Sequence, residues 1–348
     1  MLFEETLGDC VKKVNEKRDV TYCNMVDVNC AVSGQRDFGI DILKFIAVIL
    51  ITNSHFDKLY PGAWSYLGTG GAIGDALFFF CSGYTLFLKP MGRFDSWYKK
   101  RIRRIYPSVI MWALLSAVVF SSPAGVDDAI LYGAWFISCI MIYYVFIYLI
   151  NRLWLNKIIF AVLFIVTIVV YHCIEKPHNY NIYGDTYLKW VFFFMFMLLG
   201  AFVGKERKKT YSIMTSFILT FVSILAYYAI LIVCKIGILP NCIQLLSLLF
   251  LLSVIYNLYA LFSTKMASLF ASRYARLLVM FIGGLCLEIY LVQNVIIRLS
   301  ESISFPLNAF VASVAIVFLA WVLKVLSRFF MQTFDKDNYD WRKIFSLM

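Results

Sequence analysis

Long apolar stretches separated by short polar connections run through most of this chain. Ten of them, at about 38–57, 70–89, 105–122, 130–150, 158–174, 187–203, 212–234, 240–262, 278–297 and 306–328, approach the roughly 20 residues a helix needs to cross a hydrocarbon core. The pattern predicts an all-α, polytopic membrane protein, a bundle of about ten transmembrane helices. Residues 1–36 are polar, with Glu4, Glu5, Asp9 and cations from Lys12 to Arg18, and they lack the apolar core of a signal peptide. They are expected to form a cytoplasmic arm, residues 37–330 the transmembrane domain, and 331–348 a short mixed-charge cytoplasmic tail around Trp341. No internal repeat of the kind that marks many transporters is evident.

Composition strengthens this picture. Of 348 residues, 61% are hydrophobic and 15% charged, against roughly 25% charged in soluble proteins. Ten crossings leave no room for a large soluble domain. The formal charge of +11 raises nucleic acid as a partner, but its distribution points to topology instead. With the N-terminus inside, 26 basic residues fall on inner segments and 5 on outer ones, Lys44 lying within span one. That asymmetry predicts N-in and C-in, with the lipid bilayer and no nucleic acid as partner. Nine cysteines show no paired spacing, and His55, His172 and His178 match no metal-ligand pattern, so neither a disulfide framework nor a metal is expected. Connections 58–69, 123–129 and 175–186 are polar and aromatic enough to touch a hydrophilic substrate.

Ionisable residues at membrane depth mark candidate chemistry. Span one carries Asp41, Lys44 and His55. Lys44 and His55 are eleven residues apart, three turns plus about 20°, and so share one face at an axial separation of about 16 Å. Asp41 lies one turn from Lys44 and can pair with it. His55 can take a proton from a hydroxyl, with Asn53 or Asp57 as candidate orienting groups; its bland alternative is an interfacial anchor. Between spans two and three, five cations stand in six residues, and Arg101 and Arg104, at i,i+3, suit the phosphates of an anion arriving from the cytoplasm. Topology alone explains part of that basic run. Asp75 in span two either pairs with a cation on another helix or lines a polar cavity; Ser82 has no adjacent base, and Cys81 suits an inert core position. Glu288 in span nine must find a partner inside the bundle. The Gly68–Gly74 run lacks the context of a phosphate loop. Gly70, Gly74, Gly200 and Gly204 suit close helix packing instead.

Together these residues resemble the acyltransferase 3 family. Lys44 and His55 with ten residues between them, the Gly74–Tyr84 run Gly-x-x-Leu-Phe-Phe-x-x-Ser-Gly-Tyr, Arg101-x-x-Arg104 before Tyr106-Pro107, Trp135-Phe136, and Glu288-Ile289-Tyr290-Leu291 stand in the family's order over about residues 35–330. The resemblance implies an integral membrane enzyme that moves an acetyl group from cytoplasmic acetyl-CoA, as donor substrate, to a carbohydrate acceptor in a cell-surface polysaccharide or lipid-linked glycan. It implies His55 as the essential histidine with Lys44 as its basic partner, and Arg101 and Arg104 at the donor, whose pantetheine arm would run beside Lys44. Asp41, Asp75, Ser82, Tyr84, Glu288 and Tyr290 are then the expected polar lining. Gln293 stands where many members carry His, which removes a second base. A multi-pass protein of a bacterial inner membrane is expected, and a homo-oligomer is compatible with it. The rivals are a saccharide transporter or flippase, and a membrane acyltransferase with a lipid or protein acceptor.

Overall fold

The computed structural model describes residues 37–86, 91–120, 134–152, 158–171, 173, 182–184, 188–206, 212–335 and 338–346. The expectations for the arm 1–36, the connection 123–129, most of 175–186, His172 and His178 lie outside the described residues. Those described are helical, with no strand among them. The apolar segments become α1 (Phe38–His55), α2 (Gly71–Leu86), α3 (Phe94–Phe120), α4 (Ala134–Arg152), α5 (Ile158–Val170) and α6 (Leu188–Glu206). They continue as α7 (Ile213–Lys235), α8 (Gln244–Phe262), α9 (Arg273–Gly284), α10 (Cys286–Ser300) and α11 (Leu307–Gln332). By length and composition α1, α3, α6, α7, α8 and α11 can each cross a membrane, and α9 with α10 makes a seventh if the pair is one crossing. The α4 and α5 segments are apolar but shorter. The chain is therefore an integral membrane protein.

Local chemistry sets several boundaries. The Asp37 side chain accepts from the Gly39 amide at 3.0 Å and so begins α1. Ser272 does the same for α9, accepting from Ala275 N at 3.2 Å. Pro107 sits inside α3, where its missing N–H leaves the Arg103 carbonyl without its helical donor, a defect membrane helices tolerate. The segment expected as one continuous span at 278–297 is instead two helices bent by 73° at Leu285. Gly283 and Gly284, which lack the side chains that would brace the turn, immediately precede the break.

The centre of the bundle is the contact between α2 and α6. At Gly83 an added Cβ would collide with the Met197 carbonyl, and at Gly200 with that of Phe80, so the two backbones touch. Such close approach is how membrane helices gain packing energy where the solvent is itself apolar. α6 is accordingly 67% buried over its apolar window, whereas α7 and α11 are each 22% buried. α7 turns Phe217, Phe221 and Leu225 outward and α11 turns out Phe310, Val314 and Phe318, a surface suited to lipid. The tail folds back on the bundle. Its short helix α12 (Trp341–Ile344) is held where Arg328 donates to the carbonyls of Ile344 and Ser346. Phe329 and Tyr339 stack there at 4.9 Å.

Candidate functional site

Cross-helix contacts put the polar residues in order along the bundle. α1 and α10 run parallel, Cys286 Sγ lying 3.8 Å from the Lys44 carbonyl and Thr52 donating to Gln293 Oε1 at 3.2 Å. α11 runs against α10, and α3 against α11, through Lys324–Glu288 and Ser108–Ser327. The N-terminal ends of α1 and α3 thus share one end of the bundle. Arg101 is seven residues before Ser108, on nearly the same face of α3 and about 10 Å nearer that end. From one end to the other the order is Arg101, then the level of Lys44, Cys286 and Glu288, then Thr52 and Gln293, then His55, the last residue of α1.

Three acids in the bundle each have a lysine nearby. Lys44 Nζ is 3.9 Å from Asp41 Oδ1, with side-chain exposures of 22% and 4%. Glu288, fully buried, accepts from Lys324 Nζ at 2.9 Å and from the Ser108 hydroxyl at 2.7 Å. Asp75 has Lys189 as its electrostatic partner, and the Lys189 ammonium also lies over the Trp135 ring, 4.4 Å from its centroid. Two of the cations counted in the inside–outside asymmetry thus also serve the bundle interior. Lys189 is only 7% exposed at the start of α6, and Lys324 is inside α11. Lys324 answers the buried Glu288 carboxylate and Lys189 the half-buried Asp75, which lowers the penalty of holding these charges away from water.

A narrow crevice lies between α1 and α10. Val48, Ile51 and Thr52 form its α1 wall, with Phe78 of α2 and Phe136 of α4 across from them. Cys286, Ile289, Tyr290 and Gln293 form the α10 wall. The α1 lining falls on the face that joins Lys44 to His55, since positions 44, 48, 51, 52 and 55 follow the 3.6-residue repeat. The cleft thus lies between the level of Lys44 and that of His55, about one turn from each, and neither is among its lining residues. Tyr290 lies against Phe136 at 5.0 Å, with the Trp135 indole beside its phenol oxygen.

Other expected positions lie apart from the cleft. Tyr84 is buried at the far end of α2, where its hydroxyl donates to Asp37 at 2.8 Å and its ring packs on Tyr259; it ties α2 to the cap of α1. Ser82 offers its carbonyl to Thr85 Oγ1 at 2.9 Å and is half-buried near the same end. Cys81 is buried, its Sγ 3.9 Å from the Ile40 carbonyl. Arg101 and Arg104 do not share an environment. Arg101 lies on the buried stripe of α3, its guanidinium 5.0 Å from the Trp97 ring and 5.8 Å from that of Tyr144, whereas Arg104 is exposed. Both charges still act on the Tyr144 ring.

At the opposite end, His55 is partly buried and takes no hydrogen-bond partner among the described residues. Asn53 is unavailable to orient it, since its amide donates to the carbonyls of Leu67 and Thr69 at 2.8 and 3.0 Å and accepts from Tyr60. Asp57 is exposed and accepts from the Lys58 amide. Those Asn53 bonds, with Asn308 donating to the Leu59 carbonyl at 2.8 Å, fasten the 58–69 connection over this end. Trp64 and Tyr66 project from it, 62% and 73% exposed.

Gln293, discounted as a base on the sequence, proves to be a wall residue of the cleft, and Lys189 was not singled out at all. The only signal for Lys189 was a lysine next to Trp190 at the edge of an apolar run, which is also how an ordinary topological cation looks. Residues 37–326 match the family model described as an acyltransferase domain. No curated protein and no solved structure matches the chain.

Proposed function

The chain belongs to the acyltransferase 3 family, and from that membership we propose that it is an O-acetyltransferase taking its acetyl group from cytoplasmic acetyl-CoA and giving it to a sugar hydroxyl of a surface polysaccharide or lipid-linked glycan. One observation supports this reading: Lys44 and His55 share one face of α1, and the stretch of that face between them, Val48 to Thr52, lines a cleft against α10. Arg101 and Arg104 would hold the donor's phosphates at the basic end, where the cation-rich start of α3 fits a cytoplasmic face. The apolar lining formed by Val48, Ile51, Phe78 and Phe136 suits a slender, largely uncharged arm carrying a thioester. Lys44, kept near Asp41, borders that arm. His55, without a hydrogen-bond partner among the described residues, is left able to accept the proton of an incoming hydroxyl. Trp64 and Tyr66 give the rim the aromatic faces that sugar rings pack against. The proposed setting is a bacterial inner membrane with both termini inside.

The test is His55→Ala in the host strain, with protein level matched and surface-glycan acetyl content read by NMR. Acetylation should fall to background. Unchanged acetylation would remove His55 from the chemistry and this reading with it.

A further inference from the structure

The wall of the cleft holds a hydrogen-bond donor with nothing to receive it. Gln293 is fully buried, its Oε1 is engaged by Thr52, and its Nε2 has no hydrogen-bond partner among the described residues. A buried amide N–H left in this state is destabilising, and native proteins rarely keep one without a use for it. One turn earlier on the same helix stands Tyr290. The Trp135 indole stands beside its oxygen, and the phenol O–H is a donor. Positions 290 and 293 are neighbours on one helix face, and both line the cleft. Around them the lining is apolar, from Val48 and Ile51 to Phe78 and Phe136, and in such surroundings a fixed donor acts on charge far more strongly than in water.

We propose that Gln293 Nε2–H and Tyr290 O–H are a preorganised pair of donors for the acyl carbonyl oxygen, gripping it as negative charge builds there during transfer. This rests on the acyl-transfer reading above and deepens it. His55 removes the proton as the acceptor oxygen bonds to the thioester carbon, and the carbonyl π pair moves onto the oxygen held by Gln293 and Tyr290. When that pair returns, the carbon–sulfur bond breaks and the thiolate leaves, taking the proton from His55. Thr52, which engages the Gln293 amide, is one helical turn before His55, so base and donors address neighbouring levels of the cleft. An amide does not titrate near neutrality, and its donor strength is therefore constant wherever His55 can act as base.

The test uses the full chain in membrane vesicles of the host, which carry the acceptor, with acetyl-CoA as the donor probe and thiol release as the signal. Gln293→Leu should lower kcat by about 10²–10³-fold, the loss typical of one such donor, with KM for acetyl-CoA little changed. Gln293→His, which keeps an N–H, should retain most of the rate. In purified protein, infrared difference spectra with carbonyl-labelled ¹³C-acetyl-CoA should show the C=O band at lower frequency in the native chain than in Gln293→Leu. Should Gln293→Leu not fold, Tyr290→Phe, which deletes one oxygen, carries the same comparison. Native kcat in the Leu variant, or an identical band in both proteins, overturns the proposal while leaving the acyl-transfer reading intact. If instead His55→Ala turns over acetyl-CoA at the native rate, the broader reading fails and the donor pair falls with it.

Discussion

Lys324→Met should unbalance the bundle more than any change of one exposed charge. Glu288 is 0% exposed, and its carboxylate relies on Lys324 at 2.9 Å and Ser108 at 2.7 Å. Removing one member of a buried ion pair costs about 3–5 kcal/mol, because the remaining charge has neither water nor counter-ion. Arg328 also acts on Glu288 and compensates in part, which argues for the lower end. About 3 kcal/mol corresponds to roughly a hundredfold change in the unfolding constant. The double variant Glu288→Met/Lys324→Met should recover nearly all of it. The Ser108 hydroxyl is not stranded there, since Ser327 Oγ stands 3.2 Å away, and replacing a buried pair by apolar side chains is often neutral or stabilising. The assay is reversible unfolding in mixed micelles, with the single variants, the double variant and the native chain compared under one condition. A Lys324→Met protein within about 1 kcal/mol of native, or a double variant as weak as the single, would refute this account of how Glu288 is accommodated.

Three further outcomes are expected. Gly83→Leu should prevent the α2–α6 contact and lower the yield of folded protein sharply, whereas Gly92→Ala, where an added Cβ meets nothing within 4 Å, should be silent; size-exclusion profiles of tagged protein distinguish them. Under the proposed function, Arg101→Ala should raise KM for acetyl-CoA by about tenfold or more, the scale of one charge-assisted hydrogen bond, and Arg104→Ala should raise it less, because only Arg101 is fixed by Trp97 and Tyr144; equal effects in steady-state kinetics would contradict this. In the tail, backbone and side-chain hydrogen bonds from Lys343 hold the Asp340 carboxyl below the usual range. A depressed acid stabilises above its unfolded pKa of about 3.9 and loses that contribution as pH falls through its folded value, so limited proteolysis should find the tail more open in acid, and Asp340→Ala open at neutral pH.

How far the sequence foretold this structure varies with the range of the interaction. Apolar runs marked every long helix, because one segment's fit to a bilayer is a local property. The Asp41–Lys44 pair was equally legible, being one turn apart on one helix. Partners for Asp75 and Glu288 were anticipated in kind but not in identity, since Lys189 and Lys324 lie on other helices and a lysine near the edge of a span reads the same whether it faces headgroups or a buried acid. The segment at 278–297 was expected as one continuous span, and its 73° bend was missed, because an apolar run reads the same whether straight or broken. The two arginines shared a face by spacing, yet only Arg101 is enclosed by aromatic rings, because the neighbour that decides this, Tyr144, comes from α4. Gln293 was legible as a departure from its family. Its buried, unpartnered nitrogen depends on Thr52, 241 positions away.

The break at Leu285 also bears on what holds the α10 wall of the cleft in place. α10 is 15 residues long and rises about 22 Å, while α1, at 18 residues, rises about 27 Å, against a hydrocarbon core of about 30 Å. α10 alone falls short of that core and can complete a crossing only together with α9, whereas the helical run that begins with α1 continues to Lys58 and reaches across. The α10 wall of the cleft is therefore one limb of a bent element set against a straight one. A helix that turns at membrane depth persists only where neighbouring helices cover its irregular backbone, so the wall that carries Gln293 is held in place by its neighbours rather than by its own length.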